Sequence, residues 1–262
     1  MRKPSPPTNL HPAPNLRLFD AFALAGWPTQ PPLFPARRPQ DLLAEMDRCG
    51  VDEALVISDS QDLTSPLTAN HDLLDFCAAS PRLHPVWTIL PSATGEMPPH
   101  DLAADMNKHN VRALHVDAGG HKFLLNGLCL GPILDMMTER RIPLILQRRK
   151  VDWNALLELL KEFPGLTVIF CGGSQWGHDR VARPMLERFE RLYLDTSTYE
   201  LDGGLPELVA RFGPERFVFG SSYHLRAMGG PALQLRNMNI APHAKELIAH
   251  GNIERLLRES RP

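Results

Sequence analysis

The sequence predicts an α/β fold, and the arrangement it favours is a single-domain (β/α)8 TIM barrel. Short apolar runs alternate with segments of helical periodicity, and eight such strand–helix units follow one another along the chain. The runs are continuous and apolar, which is typical of strands buried on both faces of a parallel sheet. A length of 262 residues suits one barrel of this kind. A doubly wound open sheet is the alternative that periodicity leaves open.

The elements follow in order from the N-terminus. The first strand is predicted at Leu16–Leu24, the last at Phe217–Gly220, and the first helix at Asp41–Cys49, where apolar residues recur at helical spacing. The six other strands are predicted at Glu53–Ser58, Leu83–Leu90, Val111–Val116, Pro143–Gln147, Leu166–Cys171 and Leu192–Asp195. The other helices are predicted at Ala69–Ala79, Asp101–Lys108, Pro132–Arg140, Trp153–Phe163, Val181–Phe189, Pro206–Phe212, Ala232–Asn237, Ala244–Ala249 and Ile253–Leu257.

Prolines are concentrated near the N-terminus. Residues 1–15 predict a loose leader rather than a signal peptide, because they carry charge without an apolar segment behind it, and residues 16–262 predict the barrel. The run Trp27–Pro35 cannot continue a helix or a central strand, since proline lacks a backbone N–H group. We expect a semi-rigid loop whose Trp27 packs over the site, and an arm that reaches a second copy in a homodimer.

Composition excludes several classes of partner. The net charge is −2 and no basic block is present, so nucleic acid is not expected as a partner. No apolar run approaches the roughly 20 residues that span a bilayer, so no membrane association is expected. The four cysteines lack CxxC spacing and predict reduced thiols of a cytoplasmic protein. Neither a GxGxxG nor a GxxxxGK[ST] pattern occurs, so no dinucleotide or P-loop phosphate site is indicated.

The segment Phe217-Val-Phe-Gly-Ser-Ser-Tyr-His224 carries the most specific resemblance to a known family. It resembles the last barrel strand of the amidohydrolase superfamily, in the branch of small-acid decarboxylases and lactonases, where the strand ends in Phe-Gly-Ser-Asp. Weaker matches extend the resemblance from Leu18 to Leu257, and they lie at Leu18–Gly26, Met46–Val56, Phe163–Cys171, Leu192–Ser197 and Asn252. The resemblance implies a TIM barrel with its site at the carboxyl ends of the strands.

The resemblance also implies where metal ligands would stand. The family pattern has two histidines on strand one, one histidine each on strands five and six, and an aspartate on strand eight. The corresponding positions in this sequence are Phe22, Leu24, Gln147, Gly172 and Ser222. Phenylalanine and leucine cannot coordinate zinc, and without a metal nothing lowers the pKa of a bound water from about 16 towards 7. We therefore expect that the usual metal site is lost and that no cofactor is bound.

Three residues near the strand ends are candidates for catalysis. His224 suits proton transfer near neutral pH, while Asp195 suits either that role or a structural one that accepts backbone N–H groups in a turn. Ser222 would complete a Ser222–His224–Asp195 nucleophilic set, although no nucleophile elbow accompanies it. Cys171 fits a buried core thiol better than a nucleophile.

Other side chains are candidates for binding. Arg148 predicts a clamp for a carboxylate, because guanidinium groups bind carboxylates in a bidentate manner, and a solvated loop is the alternative. The remaining candidate ligand contacts are Gln147, Trp27, Trp176 and Ser197. Among the candidates at the strand ends, His115, Asp117 and His121 form the one His/Asp cluster. This cluster fits a surface histidine and a turn aspartate before Gly119-Gly120 better than it fits a replacement metal site.

Two functions follow from these observations. The first is a metal-independent hydrolase or lyase that acts on a small carboxylated molecule. The second is a catalytically silent relative that binds a small ligand or a partner protein. An open polar mouth favours the first function, whereas a mouth filled by Phe22, Leu24 and tryptophans favours the second.

Overall fold

The computed structural model describes residues 16–27, 35–173, 179–198 and 204–262. The predicted leader at residues 1–15 lies outside the described residues and stays a prediction. Eight strands form one sheet in the order β1 to β8, and every neighbouring pair is parallel. The strands are β1 (Phe19–Ala25), β2 (Glu53–Ser58), β3 (Leu83–Thr88), β4 (Leu114–His115), β5 (Leu144–Gln147), β6 (Val168–Cys171), β7 (Leu192–Asp195) and β8 (Phe217–Val218).

Helices follow the strands and cover the outside of the sheet. They are α1 (Pro39–Cys49), α2 (Pro66–Cys77), α3 (Pro99–Lys108), α4 (Gly127–Glu139), α5 (Trp153–Glu162), α6 (Asp179–Arg188), α7 (Gly204–Phe212), α8 (Gly229–Asn237), α9 (Pro242–Glu246) and α10 (Asn252–Glu259). Helix α4 begins at Gly127 rather than at the expected Pro132, because the Asn126 side chain accepts the Cys129 N–H and caps the helix there. No helix in the described part of the chain is long and apolar enough to cross a bilayer.

The sheet closes on itself through the segment that follows β8. The Ala21 N–H donates to the Phe219 carbonyl at 2.8 Å, and the Leu24 N–H donates to the Tyr223 carbonyl at 2.6 Å. These bonds join the first strand to the last, so no edge is left open there. The predicted (β/α)8 barrel is therefore confirmed, and the doubly wound open sheet is wrong.

Alternating side chains divide the core into two apolar layers. Leu114, Leu146 and Leu194 belong to the large cluster between the strands and the helices. Their neighbours along the strands face the other way and fill the barrel interior, because successive side chains of a strand point to opposite faces. The interior cluster contains Phe22, Leu24, Leu55, Ile57, Val86, Ala113, Ile145, Ile169, Cys171, Tyr193 and Val218.

Asp20 fastens the closure between β1 and β8. The register of β1 against β2 shifts between Asp20 and Ala23, which marks a bulge. Asp20 is fully buried, and its Oδ1 accepts the N–H groups of Ser221 at 2.8 Å and of Phe22 at 3.0 Å. The Ser221 hydroxyl donates to Oδ2. Burial raises the pKa of Asp20 to about 7, although these donors act to lower it.

We predict that Asp20→Ala lowers the free energy of unfolding by about 2–4 kcal/mol, because it leaves buried N–H groups without an acceptor. Asp20→Asn should lose less than half as much, since its carbonyl oxygen still accepts the two N–H groups. Urea unfolding followed by circular dichroism measures both values. Asp101→Ala, which truncates an exposed aspartate side chain, is the matched control. Equal losses for Asp20→Ala and Asp101→Ala would contradict a role for Asp20 in closure.

Candidate active site

A polar layer lies above the apolar interior, at the carboxyl ends of the strands. At five strand ends a buried residue follows, two positions later along the chain, an apolar residue of the barrel interior. Period-two alternation turns this second residue into the barrel as well. The five residues are Thr88, His115, Gln147, Cys171 and Asp195. Side chains at this end of a (β/α)8 barrel form its active site.

Asp195 is the buried acid of this layer. The Gly172 N–H donates to its Oδ1 at 2.7 Å, whereas its Oδ2 is buried without a hydrogen-bond partner among the described residues. Oδ2 lies so close to the Cα of Gly220 that a Cβ atom at that position would overlap it. Burial raises the pKa of Asp195 to about 6, against the lowering effect of nearby donors and of Arg226. The carboxyl group therefore keeps its proton in part of the molecules near neutral pH.

The three predicted catalytic residues are not joined by hydrogen bonds. The Ser222 hydroxyl donates to Ser197 Oγ at 2.8 Å rather than to a histidine. His224 is buried, and its Nε2 lies 3.2 Å from Asp59 Oδ2, without hydrogen-bond geometry. A nucleophilic serine needs a base within hydrogen-bond reach. The geometry of the described residues thus gives the Ser222–His224–Asp195 nucleophilic set no support.

His115 is not the surface residue that the sequence interpretation favoured. It is fully buried, because its side chain points into the barrel, and its Nδ1 lies 3.2 Å from Thr88 Oγ1. Burial lowers its pKa to about 4, so the imidazole is neutral. Asp117 does occupy the expected turn, where its carboxylate accepts the Gly120 N–H. His121 points elsewhere, towards the backbone carbonyl of Gln61.

The predicted binding residues differ in how deeply they are buried. Gln147 belongs to the polar layer, and Arg148 follows it, half-buried, with its Nε buried and unpartnered among the described residues. Ser197 is buried beside Ser222. Trp27 is 56% exposed, and the Arg37 guanidinium lies 4.4 Å from its ring centre, so Trp27 sits at the surface. The predicted contact Trp176 lies outside the described residues.

The described residues do not fit the metal centre that the resemblance implies. Phe22 and Leu24 lie in the apolar interior and offer no ligand atom. At the end of β6 the inward residue is Cys171 rather than the expected Gly172, since Ile169 two residues earlier faces inward. Within the described ranges, no three side chains of His, Cys, Asp or Glu come together to hold a metal ion. His115, Asp117 and His121 therefore form no replacement site.

The surroundings of Cys171 disfavour its thiolate form. Burial, together with the charges of Asp195 and Asp20, raises the pKa of the Cys171 thiol well above its ordinary value. A nucleophilic cysteine needs the opposite shift. The geometry agrees with the interpretation of Cys171 as a core thiol.

Buried polar atoms without partners are concentrated at this end of the barrel. Among the described residues, most such side-chain atoms belong to residues at strand ends or in the loops that follow, namely Gln61, His115, His121, Arg148, Asp195 and His224. Each orphaned group costs free energy, and native proteins keep few of them. Their concentration in one place indicates a site where a bound molecule or water supplies the missing partners.

Sequence reasoning missed two residues that organise this site. Thr88 contacts His115, and Asn70 holds the backbone of Thr88. Thr88 ends an apolar strand, which is a usable signal. Asn70 lies on helix α2, and only the fold brings it to β3.

Solved structures similar to this one support the fold. An uncharacterized TIM-barrel protein, Bb4693 from Bordetella bronchiseptica, is 20% identical with a TM-score of 0.68, covering 93% of this chain and 99% of that one. The 5-carboxyvanillate decarboxylase LigW from Sphingomonas paucimobilis is 17% identical with a TM-score of 0.67 and the same coverage. A 2,6-dihydroxybenzoate decarboxylase from Rhizobium is 16% identical with a TM-score of 0.65, covering 83% and 87%. At these identities the likeness establishes the fold alone.

The sequence itself establishes the family. The family model described as Amidohydrolase matches residues 10–258, which is nearly the whole chain. The chain therefore belongs to the amidohydrolase family, and the predicted resemblance is confirmed. No curated protein matches it.

We predict that Asp195 makes stability depend on pH with a definite sign. Its pKa of about 6 in the folded chain exceeds the ordinary 3.8, so the folded state holds a proton that the unfolded chain has released. Stability from this group is present below about pH 4 and is lost as the pH rises through about 6. Each pKa unit corresponds to about 1.4 kcal/mol, so wild type should lose on the order of 2–3 kcal/mol relative to Asp195→Asn over this window.

Urea unfolding of both chains across this pH range measures the difference. Asp101→Asn, at an exposed position, should show no such trend against wild type. A difference between wild type and Asp195→Asn that is flat with pH would contradict the burial of a protonated Asp195.

Proposed function

We propose that this chain is an acid–base catalyst that acts on a small carboxylated molecule without a metal ion, as a lyase that removes the carboxyl group. The observation that carries the proposal is the polar layer at the carboxyl ends of the strands. Its acid, Asp195, is buried and has a free oxygen within the described part of the chain. Perturbed acids of this kind are concentrated at catalytic sites.

A lyase suits this site better than a hydrolase. Hydrolysis needs an activated water, and a metal ion is the usual means of lowering the pKa of that water. The described residues assemble no such ion site. Removal of a carboxyl group needs a side chain that binds the carboxylate and a group that donates a proton. The residues present include groups of both kinds.

The proposal assigns a role to each of these residues. In this proposal Gln147, which ends β5, and Arg148, in the turn that follows it, bind the carboxylate of the substrate. Asp195 donates its proton to the carbon that bears the carboxylate, while the bond between that carbon and the carboxylate breaks and carbon dioxide leaves. The carboxylate of Asp195 then takes a proton from solvent. His224, beside Asp59, is a second proton carrier at the same end of the barrel. The homodimer and the ligand contact of Trp176 stay predictions.

One observation favours a second function, a catalytically silent relative that binds a small ligand or a partner protein. Phe22 and Leu24 belong to the apolar cluster inside the barrel, on the side where the family pattern has two histidines. Apolar side chains at that place offer no group for acid–base chemistry. A silent relative would bind a carboxylate at Arg148 without turning it over.

We predict turnover of a small aromatic carboxylate after chelation. Two probes are 2,6-dihydroxybenzoate and 5-carboxyvanillate, because proteins of similar fold are decarboxylases of these compounds. Protein dialysed against EDTA should release carbon dioxide from at least one probe at the rate of undialysed protein. Asp195→Asn should lower kcat by about 100-fold or more, as expected for loss of a general acid, with the probe still bound.

Arg149→Gln, at an exposed neighbour of Arg148, is the control and should keep wild-type activity. Turnover that disappears after chelation and returns with added metal would contradict a metal-independent reaction. Binding of a probe with no turnover by wild type would favour the silent relative.

A further inference from the structure

His115 is held from behind by a chain of buried hydrogen bonds. The Asn70 side chain brackets the backbone of Thr88, since its Nδ2 donates to the Thr88 carbonyl at 2.9 Å and its Oδ1 accepts the Thr88 N–H at 2.8 Å. This clamp fixes Thr88, whose Oγ1 lies 3.2 Å from His115 Nδ1. All three residues are at least nine-tenths buried. The imidazole is therefore fixed in position by groups that are themselves buried.

The other ring nitrogen of His115 has no such support. Nε2 is buried and has no hydrogen-bond partner within the described ranges. With Nδ1 directed at a hydroxyl, the ring can carry its proton on Nδ1 and leave a lone pair on Nε2. A buried lone pair without a donor is costly unless a bound molecule supplies the donor.

The charges near His115 come from three loops at the same end of the barrel. Asp59 follows β2, Asp117 and His121 follow β4, and Lys150 follows β5. Lys150 is bound to Asp117 at 2.6 Å, so these two charges largely offset each other. Desolvation dominates and keeps the ring neutral, so Nε2 can hold a lone pair that faces a hydroxyl donor.

We propose that His115 is a catalytic base in this site, which takes a proton from a hydroxyl group of the bound carboxylate at Nε2, and that Thr88 and Asn70 are positioning residues for it. The proposal rests on the proposed function and adds the partner of Asp195. The two groups are perturbed in opposite directions, Asp195 towards its protonated form and His115 towards its neutral form, which is the usual division between an acid and a base.

The proton balance of the step is closed. The lone pair of His115 Nε2 forms a bond to the hydroxyl proton, and the O–H bonding pair stays on the substrate oxygen. The substrate carbon that bears the carboxylate takes the proton of Asp195. The bond between that carbon and the carboxylate breaks, and carbon dioxide leaves. His115 then returns its proton to the same oxygen, so the ring ends as it began. No oxidant, reductant or further reactant is consumed.

The test compares His115→Gln with wild type, using 2,6-dihydroxybenzoate as the probe. Glutamine keeps a hydrogen-bonding group near the position of Nε2 but cannot accept a proton. We expect kcat to fall by about 100-fold or more, with the dissociation constant of the probe within about threefold of wild type. His71→Gln, the same change at an exposed position on helix α2, should leave kcat unchanged. Wild-type kcat in His115→Gln would overturn the proposal.

Positioning by Thr88 has its own readout. Thr88→Val removes Oγ1 and keeps the shape of the side chain, so kcat should fall about tenfold while KM stays constant. Thr88→Ser restores a hydroxyl and should restore kcat. A loss in Thr88→Val that Thr88→Ser does not rescue, or a change in KM alone, would overturn the positioning role.

The imidazole ring of His115 gives a measurement that does not depend on turnover. Imidazole nitrogen-15 signals of His115 should move when the probe binds, because Nε2 then gains a donor. If wild type binds the probe without turnover, the proposed lyase function fails, and an unmoved His115 signal would overturn the contact as well. If the probe neither binds nor reacts, both proposals fail.

Discussion

The buried carboxyl group of Asp20 is the constraint on which the rest of this barrel depends. It accepts hydrogen bonds from Ser221 and from the backbone of the bulge in β1, and so joins the two ends of the sheet. Closure places the segment after β8 beside the ends of the neighbouring strands. Ser222 can then meet Ser197, and His224 can lie next to Asp59. The site therefore exists only in the closed barrel.

Burial is the second main influence on this site. It shifts the pKa values of an aspartate and a histidine in opposite directions. It raises the pKa of Asp195 to about 6 and lowers that of His115 to about 4, because water is excluded from both. An acid whose pKa is raised towards neutral pH and a histidine that stays neutral are thereby formed in one layer. Apolar residues fill the barrel below this layer, including Phe22 and Leu24 where the family pattern has histidines. Proton transfer is the chemistry that such a layer offers.

Much of the fold could be predicted from the sequence, because eight apolar runs with helical segments between them predict parallel strands alternating with helices, and the count of eight favours a closed barrel. The site was harder to predict, since strand ends decide which side chains face inward. Strand β4 spans two residues, too few to show that His115 faces the interior. At β6 the prediction was wrong by one position, because Cys171 faces inward instead of the expected Gly172. The Asn70 clamp joins a helix to a strand, and no local pattern announces it.

The central claim is that acid–base groups of the chain replace a metal centre. Its most direct test is the metal content of the purified full-length protein, measured by inductively coupled plasma mass spectrometry after dialysis into metal-free buffer. The account predicts zinc, manganese and iron well below one atom per chain, with the protein folded and its probe still bound. One firmly held metal atom per chain, retained through dialysis, would contradict it.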